Sequence, residues 1–224
     1  MKRFWDSDLA YGFRRAPMAV GAALVALICV LGAALSPWIA PHDPFDLARL
    51  NLMDSLRPPF FLPEGEWSWL LGTDNQGRDV LSAIMYGARI SLFVGIAAVL
   101  FAMLTGVAVG LVAGYAGGVV DAVLMRIADV QLTFPAILIA LLVNGIAGAA
   151  LPKAMHQQLQ IPVLIVAIGI SKWPDFARTV RGSTLVERGK EYVLAAQIIG
   201  VPAPRILMAH ILPNVLGPVL VIAT

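Results

Sequence analysis

Long blocks without a charged residue are the feature of this sequence that most restricts its fold. A helix rises about 1.5 Å per residue, so about 20 residues cross the roughly 30 Å hydrocarbon core of a bilayer. Charged residues make up only 13% of the chain, against about 25% in a soluble domain. The charge-free blocks are residues 16–35, 90–120, 130–152, 159–171 and 211–224. The pattern predicts an all-α fold, a polytopic transmembrane helical bundle.

The first block has two interpretations, a transmembrane helix and a secretory signal. It holds twenty residues and follows Arg14 and Arg15, whereas the apolar core of a signal peptide has about 7–15 residues. We therefore predict a cytoplasmic tail at 1–15 and a first transmembrane helix at 16–40.

The later blocks differ in length. The second span is assigned to the first two thirds of 90–120, and the third span to 130–152. The block at 159–171 has only thirteen residues, and we interpret it as a fourth span, with a re-entrant segment as the alternative. The last block has fourteen residues, so the chain is expected to end within a fifth span.

The distribution of basic residues predicts the orientation, because cytoplasmic segments collect Lys and Arg near the membrane. The tail has four basic residues and the segment 172–210 has six, whereas 41–89 has four and is net acidic. We therefore predict that 41–89 is an extracytoplasmic segment and that the N-terminus lies in the cytoplasm. The remainder, 90–224, is the predicted core transmembrane domain.

Small residues recur at every fourth position of the second apolar block, which places them on one face of a helix. They are Ala98, Ala102, Gly106, Gly110, Gly114 and Gly118. Small residues let a second helix approach closely in lipid, so this stripe predicts a helix-packing face. Chance in a helix rich in Gly and Ala is the alternative.

Several classes of function lack their residues in this sequence. No ionisable residue lies at the centre of a predicted span, which disfavours an ion-coupled carrier or channel. We find no spacing of metal ligands, no nucleophile–base pair and no basic run for nucleic acid, and the sole cysteine, Cys29, is a packing residue. The one Gly-Lys pair precedes Glu191 and lacks the earlier glycine of a phosphate loop. We predict no catalytic, metal or cofactor-binding residue.

Two passages are more specific than hydropathy. The first reads LGTDNQGRDVLS at 71–82, and the second comprises EYVLAA at 191–196, Gly200 and HILPN at 210–214. Together they resemble the inner-membrane permease subunits of the dipeptide, oligopeptide and nickel family of binding-protein-dependent ABC importers. The resemblance covers nearly the whole chain, so 90–224 resembles the core permease domain of that family.

The first passage leaves two roles open. Its charged residues could form a network or face a binding protein, and they are Asp74, Arg78, Asp79 and Arg89. Alternatively, Thr73 or Asp74 could cap the start of a helix.

The second passage is similar to the loop through which these permeases couple to an ATPase. The resemblance implies a cytoplasmic loop at 182–212 whose two short helices dock on the ATPase. The residues it implies are Glu191, Tyr192, Ala195, Ala196, Gly200, Leu212 and Pro213. Leu194 stands where the family pattern has an acid, and an ordinary interfacial helix is the alternative.

The resemblance implies a permease subunit of an ATP-driven importer in the bacterial inner membrane. Its expected partners are a second homologous permease, two cytoplasmic ATPases that bind ATP and Mg²⁺, an extracytoplasmic solute-binding protein and the lipid bilayer, with no nucleic acid. Peptides are the first expectation for the substrate, with nickel, opine-like compounds and other small solutes as alternatives, and no substrate-binding residue is identified. Competing functions are an ion-coupled carrier or channel, a membrane enzyme, and a non-transporting scaffold.

Overall fold

The structure is a computed structural model that describes residues 8–46, 51–152 and 155–223. It divides into two compact units, Met1–Phe93 and Val94–Thr224. Helices dominate the described residues, which contain no strand beyond an isolated bridge between Thr73 and Asp79. The predicted fold class, an all-α polytopic bundle, is confirmed. Part of the predicted tail, residues 1–7, and Thr224 at the end of the last apolar block lie outside the described residues.

The first unit begins with α1 (Asp8–Arg15), α2 (Pro17–Ala34) and the single turn α3 (Ser36–Ile39). Pro17 occupies the first turn of α2, where its fixed φ and missing N–H suit a helix start. A short 3₁₀ turn follows at Leu52–Asp54, and α4 (Val80–Ala116) begins in this unit.

Residues 72–79 form a tight turn that leads into α4. Gly72 and Gly77 have φ values of 78° and 77°, in the left-handed region that favours glycine. The side chain of Asp74 accepts hydrogen bonds from the backbone N–H of Gln76 (2.8 Å) and Arg78 (2.9 Å). Asp79, only 2% exposed, accepts from the N–H of Ser82 at 2.9 Å. The cap of α4 is therefore Asp79 rather than Thr73 or Asp74.

The second unit contains most of α4 and five further helices. They are α5 (Gly118–Leu132), α6 (Ala136–Ala150), α7 (His156–Arg188), α8 (Glu191–Ile198) and α9 (Ala203–Ala223). Within α9, residues Ile206–Ile211 form a π-helical stretch. This wider helical turn lies just before Pro213, which has no backbone N–H to donate to a carbonyl of the preceding turn.

Among the described residues, α2, α4, α7 and α9 are long and apolar enough to cross a membrane. The pair α5 and α6 meets the same test together, but it is bent by 92°. The expected third span at 130–152 is thus not one helix: it breaks at Thr133–Pro135, because proline cannot donate the backbone bond. The expected fourth span is the apolar part of the 33-residue α7. The last span begins at Ala203, eight positions before 211, and reaches 21 residues.

The core of the second unit joins four helices. Its buried side chains include Ala102 and Leu111 on α4, Phe176 and Val180 on α7, Val193 and Ala196 on α8, and Ile206, Ile211, Val215 and Val219 on α9. The short helix α8 therefore packs into the same apolar cluster as the long helices, which fixes its position on the bundle.

Candidate coupling site

The helix α8 is a short, sharply bounded element. It ends in a Schellman motif, in which the N–H of Val201 bonds to the carbonyl of Ala196 (3.0 Å) and the N–H of Gly200 to that of Gln197 (3.1 Å). This motif needs a left-handed residue, and Gly200 has φ 81°. Pro202 then precedes α9, so the chain reverses within a few residues.

The two faces of α8 have different surroundings. Val193 and Ala196 are buried in the core, at 0% and 5% exposure. The opposite surface is also apolar but exposed: Leu194 is 46%, Ile198 86% and Ile199 78% exposed, with Ala195 beside them. Contiguous exposed apolar side chains are typical of a surface that binds a partner. We call Leu194, Ala195, Ile198 and Ile199 the exposed α8 face.

A polar cluster ties α8 to both neighbouring membrane helices. Glu187, 8% exposed at the end of α7, accepts from the ammonium of Lys190 (2.5 Å) and from the hydroxyl of Tyr192. The side-chain amide of Asn214 on α9 donates to the Tyr192 oxygen at 2.9 Å. The same amide donates to the carbonyl of His210 at 2.8 Å, and the His210 ring lies edge-on to Tyr192. Tyr192 is thus the link between α7, α8 and α9.

The carboxylate of Glu187 sets the titration of its two donors. Its hydrogen bond to Lys190 raises the pKa of that ammonium above its usual range. Its hydrogen bond to Tyr192 likewise raises the pKa of the phenol, with loss of solvent as a second cause. Both effects favour the hydrogen-bonded state, because a carboxylate stabilises a donor that keeps its proton.

The sequence-predicted coupling residues occupy different positions. Glu191, Tyr192, Ala195 and Ala196 lie on α8, and Gly200 ends it. Leu212 and Pro213 lie on α9, where Leu212 is partly buried and Pro213 is exposed. The loop 182–212 therefore contains one complete short helix, and the second helical stretch continues directly into α9.

Glycines on α4 place this helix directly against α7. A Cβ added at Gly110 would lie 2.6 Å from the carbonyl oxygen of Ala177 and 2.7 Å from the Cβ of Val180. At Gly114 it would lie 2.7 Å from the Cβ of Thr184, and at Gly106 it would meet Phe176. Real side-chain carbons do not approach so closely, so only glycine fits at these three positions. Gly118, the last member of the stripe, has no atom within 4 Å and begins α5.

The two alanines of the small-residue stripe, Ala98 and Ala102, are buried at 1% and 0% exposure.

Arg188 at the end of α7 donates to the carbonyl oxygens of Gly114 (3.2 Å) and Tyr115 (2.8 Å). These carbonyls are among the last of α4 and have no partner within their own helix. The last turn of α7, next to α8, is therefore anchored to the end of α4.

Charged pairs join α5 to α7. Arg181 donates two hydrogen bonds to Asp121, at 2.5 and 2.6 Å, in the bidentate geometry that gives strong pairs. Arg178 makes a single contact with one carboxylate oxygen of Asp129, again between α7 and α5. Asp121 and Asp129 thus form contacts that hold α5 against α7.

Sequence reasoning missed Gln131. Pro174 lacks the N–H that would bond to the carbonyl of Ile170 four residues earlier in α7. The side-chain amide of Gln131 on α5 donates to that carbonyl, and its oxygen accepts from the indole N–H of Trp173 at 3.0 Å. The sequence feature that could have indicated this contact is Trp173-Pro174, which follows closely on the predicted span at 159–171. A proline within a helix leaves a backbone carbonyl without its hydrogen bond, and a side chain of another helix can supply the donor.

Two family models together match most of this chain. Residues 106–224 match the family described as the binding-protein-dependent transport system inner membrane component. Residues 3–59 match the N-terminal transmembrane domain of oligopeptide transport permease C.

Individual relatives align over almost the entire chain. A di/tripeptide transport system permease of Pseudomonas aeruginosa is 34% identical over 224 residues, which are 100% of this chain and 68% of the relative. An oligopeptide transport permease of Bacillus subtilis is 34% identical over 97% of this chain and 65% of its own length. A glutathione transport permease of Escherichia coli is 37% identical over 95% of this chain and 64% of its own length. The chain thus spans about two thirds of these relatives.

Proposed function

This chain belongs to the family of binding-protein-dependent transport system inner membrane components, and we propose that it forms half of the membrane path of an ATP-driven importer. It is a multi-pass protein of the inner membrane and a transport permease rather than an enzyme. Its partners would be a second, related permease, two cytoplasmic ATPases and an extracytoplasmic solute-binding protein. The N-terminus and α8 would lie on the cytoplasmic side.

The observation that carries this proposal is the two-sided packing of α8. One face is held in the core by Val193 and Ala196, while Leu194, Ile198 and Ile199 present apolar surface to the outside. Tyr192 links the same helix to α7 and α9 through Glu187 and Asn214. A partner bound to the exposed α8 face would therefore move two membrane helices when it moves α8.

The link from α8 to α7 and α9 supports transport by alternating access, in which the bundle opens to one side of the membrane at a time. The sequence contains no phosphate loop, so ATP and Mg²⁺ would be bound by the partner ATPases. When the ATPases close, they would displace α8 and bias the bundle between its inward-open and outward-open arrangements. Only a partner with different affinity for the two arrangements can shift their populations, which is what ATP binding by the ATPases would supply.

Peptides are the proposed substrate class. The relatives in Pseudomonas aeruginosa, Bacillus subtilis and Escherichia coli are described as transporting di- and tripeptides, oligopeptides and glutathione. These solutes share an amide-linked backbone and differ in length, which supports short peptides as the first ligands to examine.

The test is co-purification of the full chain from its native membrane in mild detergent, with mass spectrometry of the bound proteins. Ile198→Asp, which places a charge on the exposed α8 face, is expected to lose the ATPase. Leu62→Asp introduces the same charge at an exposed apolar residue of the predicted outer segment and is the matched control. Retention of the ATPase by Ile198→Asp would contradict this docking surface.

A second measurement separates import from scaffolding. The complex is reconstituted in liposomes with the co-purified binding protein, and uptake of a labelled dipeptide is measured with and without ATP. ATP-dependent uptake supports the importer, whereas ATPase binding without uptake of any solute favours a scaffold. Uptake that persists without the ATPase would favour an ion-coupled carrier.

A further inference from the structure

A groove at the bend between α5 and α6 is separate from the coupling site. It has a volume of about 520 Å³, and Ile170 of α7 is one of its lining residues. This volume lies within the range of about 300–1,000 Å³ that is usual for small-ligand sites. Its walls are almost entirely apolar, with Ile127 on α5, Phe134 at the bend and Leu138 on α6.

Two polar side chains reach the groove, Arg126 and Gln131. The amide of Gln131 is already used at both ends, since it donates to the carbonyl of Ile170 and accepts from Trp173. Arg126 is exposed, and its guanidinium is therefore the polar group available to an occupant.

The carboxylates closest to Arg126 on its own helix are paired with other arginines. The aspartates on the same helix, Asp121 and Asp129, are paired with Arg181 and Arg178 of α7. Within the described ranges, no carboxylate forms an ion pair with Arg126. An unpaired cation in the lining of an apolar groove is complementary to an amphiphile with an anionic head.

We propose that this groove binds an anionic phospholipid, with the phosphate on Arg126 and an acyl chain along α6. A guanidinium offers two parallel N–H donors that match two phosphate oxygens. The apolar walls belong to the bent pair α5 and α6, which is apolar enough to lie in the bilayer. A basic residue between membrane helices is a recurrent way to hold an acidic lipid head.

The occupant is a lipid rather than a helix of another subunit because of this unpaired cation. A neighbouring membrane helix would bury Arg126 against apolar surface, which is unfavourable unless that helix brings a carboxylate. A phospholipid supplies the counter-charge and the apolar chain in one molecule.

Lipid binding to the purified full chain, with the subunits that remain bound to it, tests the proposal by native mass spectrometry. Phosphatidylglycerol and phosphatidylcholine with identical acyl chains are titrated in parallel. Wild-type protein is expected to retain phosphatidylglycerol in preference by about tenfold or more, the effect expected of one charge-assisted contact. Arg126→Gln should abolish this preference, and Arg89→Gln, which removes an exposed arginine of the first unit, should keep it. Equal preference in wild type and Arg126→Gln would overturn the proposal.

A second variant examines the apolar part of the site without altering charge. Leu138→Trp fills the groove and is expected to lower the retention of both lipids, whereas unchanged retention would place the acyl chain elsewhere and overturn the proposal. A photoreactive benzoylphenylalanine at position 138 identifies the occupant in the native membrane. A lipid adduct supports the site, and an adduct to another protein subunit contradicts it.

Discussion

The turn at 72–79 and the candidate coupling segment at 187–214 both contain a family-like motif and a left-handed glycine, but they use their polar groups differently. In the turn, Asp74 and Asp79 accept hydrogen bonds from residues two to four positions away. In the coupling segment, Tyr192 bonds to Glu187 and to Asn214, twenty-two positions along the chain. The two aspartates of the first motif therefore shape a local helix start, whereas Tyr192 of the second motif joins separate helices.

The two segments also differ in what surrounds their glycines. A Cβ at Gly77 would meet the carbonyl oxygen of Asn51, whereas Gly200 has open space within 4 Å. Substitution at the first position should mainly damage folding, and substitution at the second should mainly damage communication with a partner. Substitutions at the two glycines can therefore test whether the two segments have different roles.

The largest effect on stability is expected for Gly77→Val. A β-branched residue in the left-handed region costs about 1–2 kcal/mol, and overpacking against Asn51 adds about 1–3 kcal/mol. Thermal unfolding of the purified chain should show a loss of several kcal/mol. Gly87→Ala, at a helical glycine of the same unit with no atom within 4 Å, is the control and should unfold at or above the wild-type temperature.

Gly200→Val is expected to lose transport with a smaller loss of stability. Only the backbone strain applies, about 1–2 kcal/mol, but the Schellman turn that orients α8 would be distorted. ATP hydrolysis and dipeptide uptake are measured on the same reconstituted complex, and the ratio of uptake to hydrolysis should fall. Gly200→Asn should restore much of that ratio, because asparagine tolerates a positive φ. Normal uptake by the valine variant would contradict the role of this turn.

Tyr192→Phe examines the long-range link itself. It keeps the ring beside His210 but removes the hydroxyl from Glu187 and Asn214, which should cost about 1 kcal/mol in stability. Uptake per ATP hydrolysed should fall while the ATPase still co-purifies. Tyr86→Phe is the matched control, since Tyr86 contacts Phe45 through its ring, and it should leave both quantities unchanged.

The smallest expected effect concerns how the stability of the folded chain depends on pH. Because the folded-state pKa values of Lys190 and Tyr192 are raised above 10.5 and 10.0, the stability they contribute is fully present below about pH 10. It is lost as pH rises through the raised values. A spectrophotometric titration should show one phenol in wild type that ionises late and is absent in Tyr192→Phe. Glu187→Gln should return that phenol towards the ordinary range, and no change would argue against the Glu187 hydrogen bond.

The sequence predicted the spans better than their boundaries. Charge-free blocks identified the membrane helices, because lipid excludes charge whatever the packing. The break at Thr133–Pro135 and the start of α9 at Ala203 were not anticipated, since apolar length does not show where the backbone turns. The capping residue Asp79 was also missed, because Thr73, Asp74 and Asp79 are equally suitable caps until the turn geometry is known.

For the coupling segment, the residue pattern supplied the candidates and the structure supplied their environments. The stripe from Ala98 to Gly118 was read as one packing face, yet only Gly106, Gly110 and Gly114 lie so close to α7 that a Cβ cannot fit. Tyr192 was named from resemblance alone, and its bonds to two membrane helices were visible only in the fold. Gln131 was not identified, because its partner is a carbonyl that Pro174 leaves free on another helix.

Composition, hydrophobic period and local motifs are sufficient to predict that this protein lies in lipid, that it is helical and to which family it belongs. The packing of the helices is needed to know which face of α8 is exposed, which arginines are paired, and that Arg126 lies beside an apolar groove. The reason is physical: burial and ion pairing depend on residues tens of positions apart being brought together, as Arg181 and Asp121 are. Local sequence sets the helices, and only their packing sets which side chains remain available to partners.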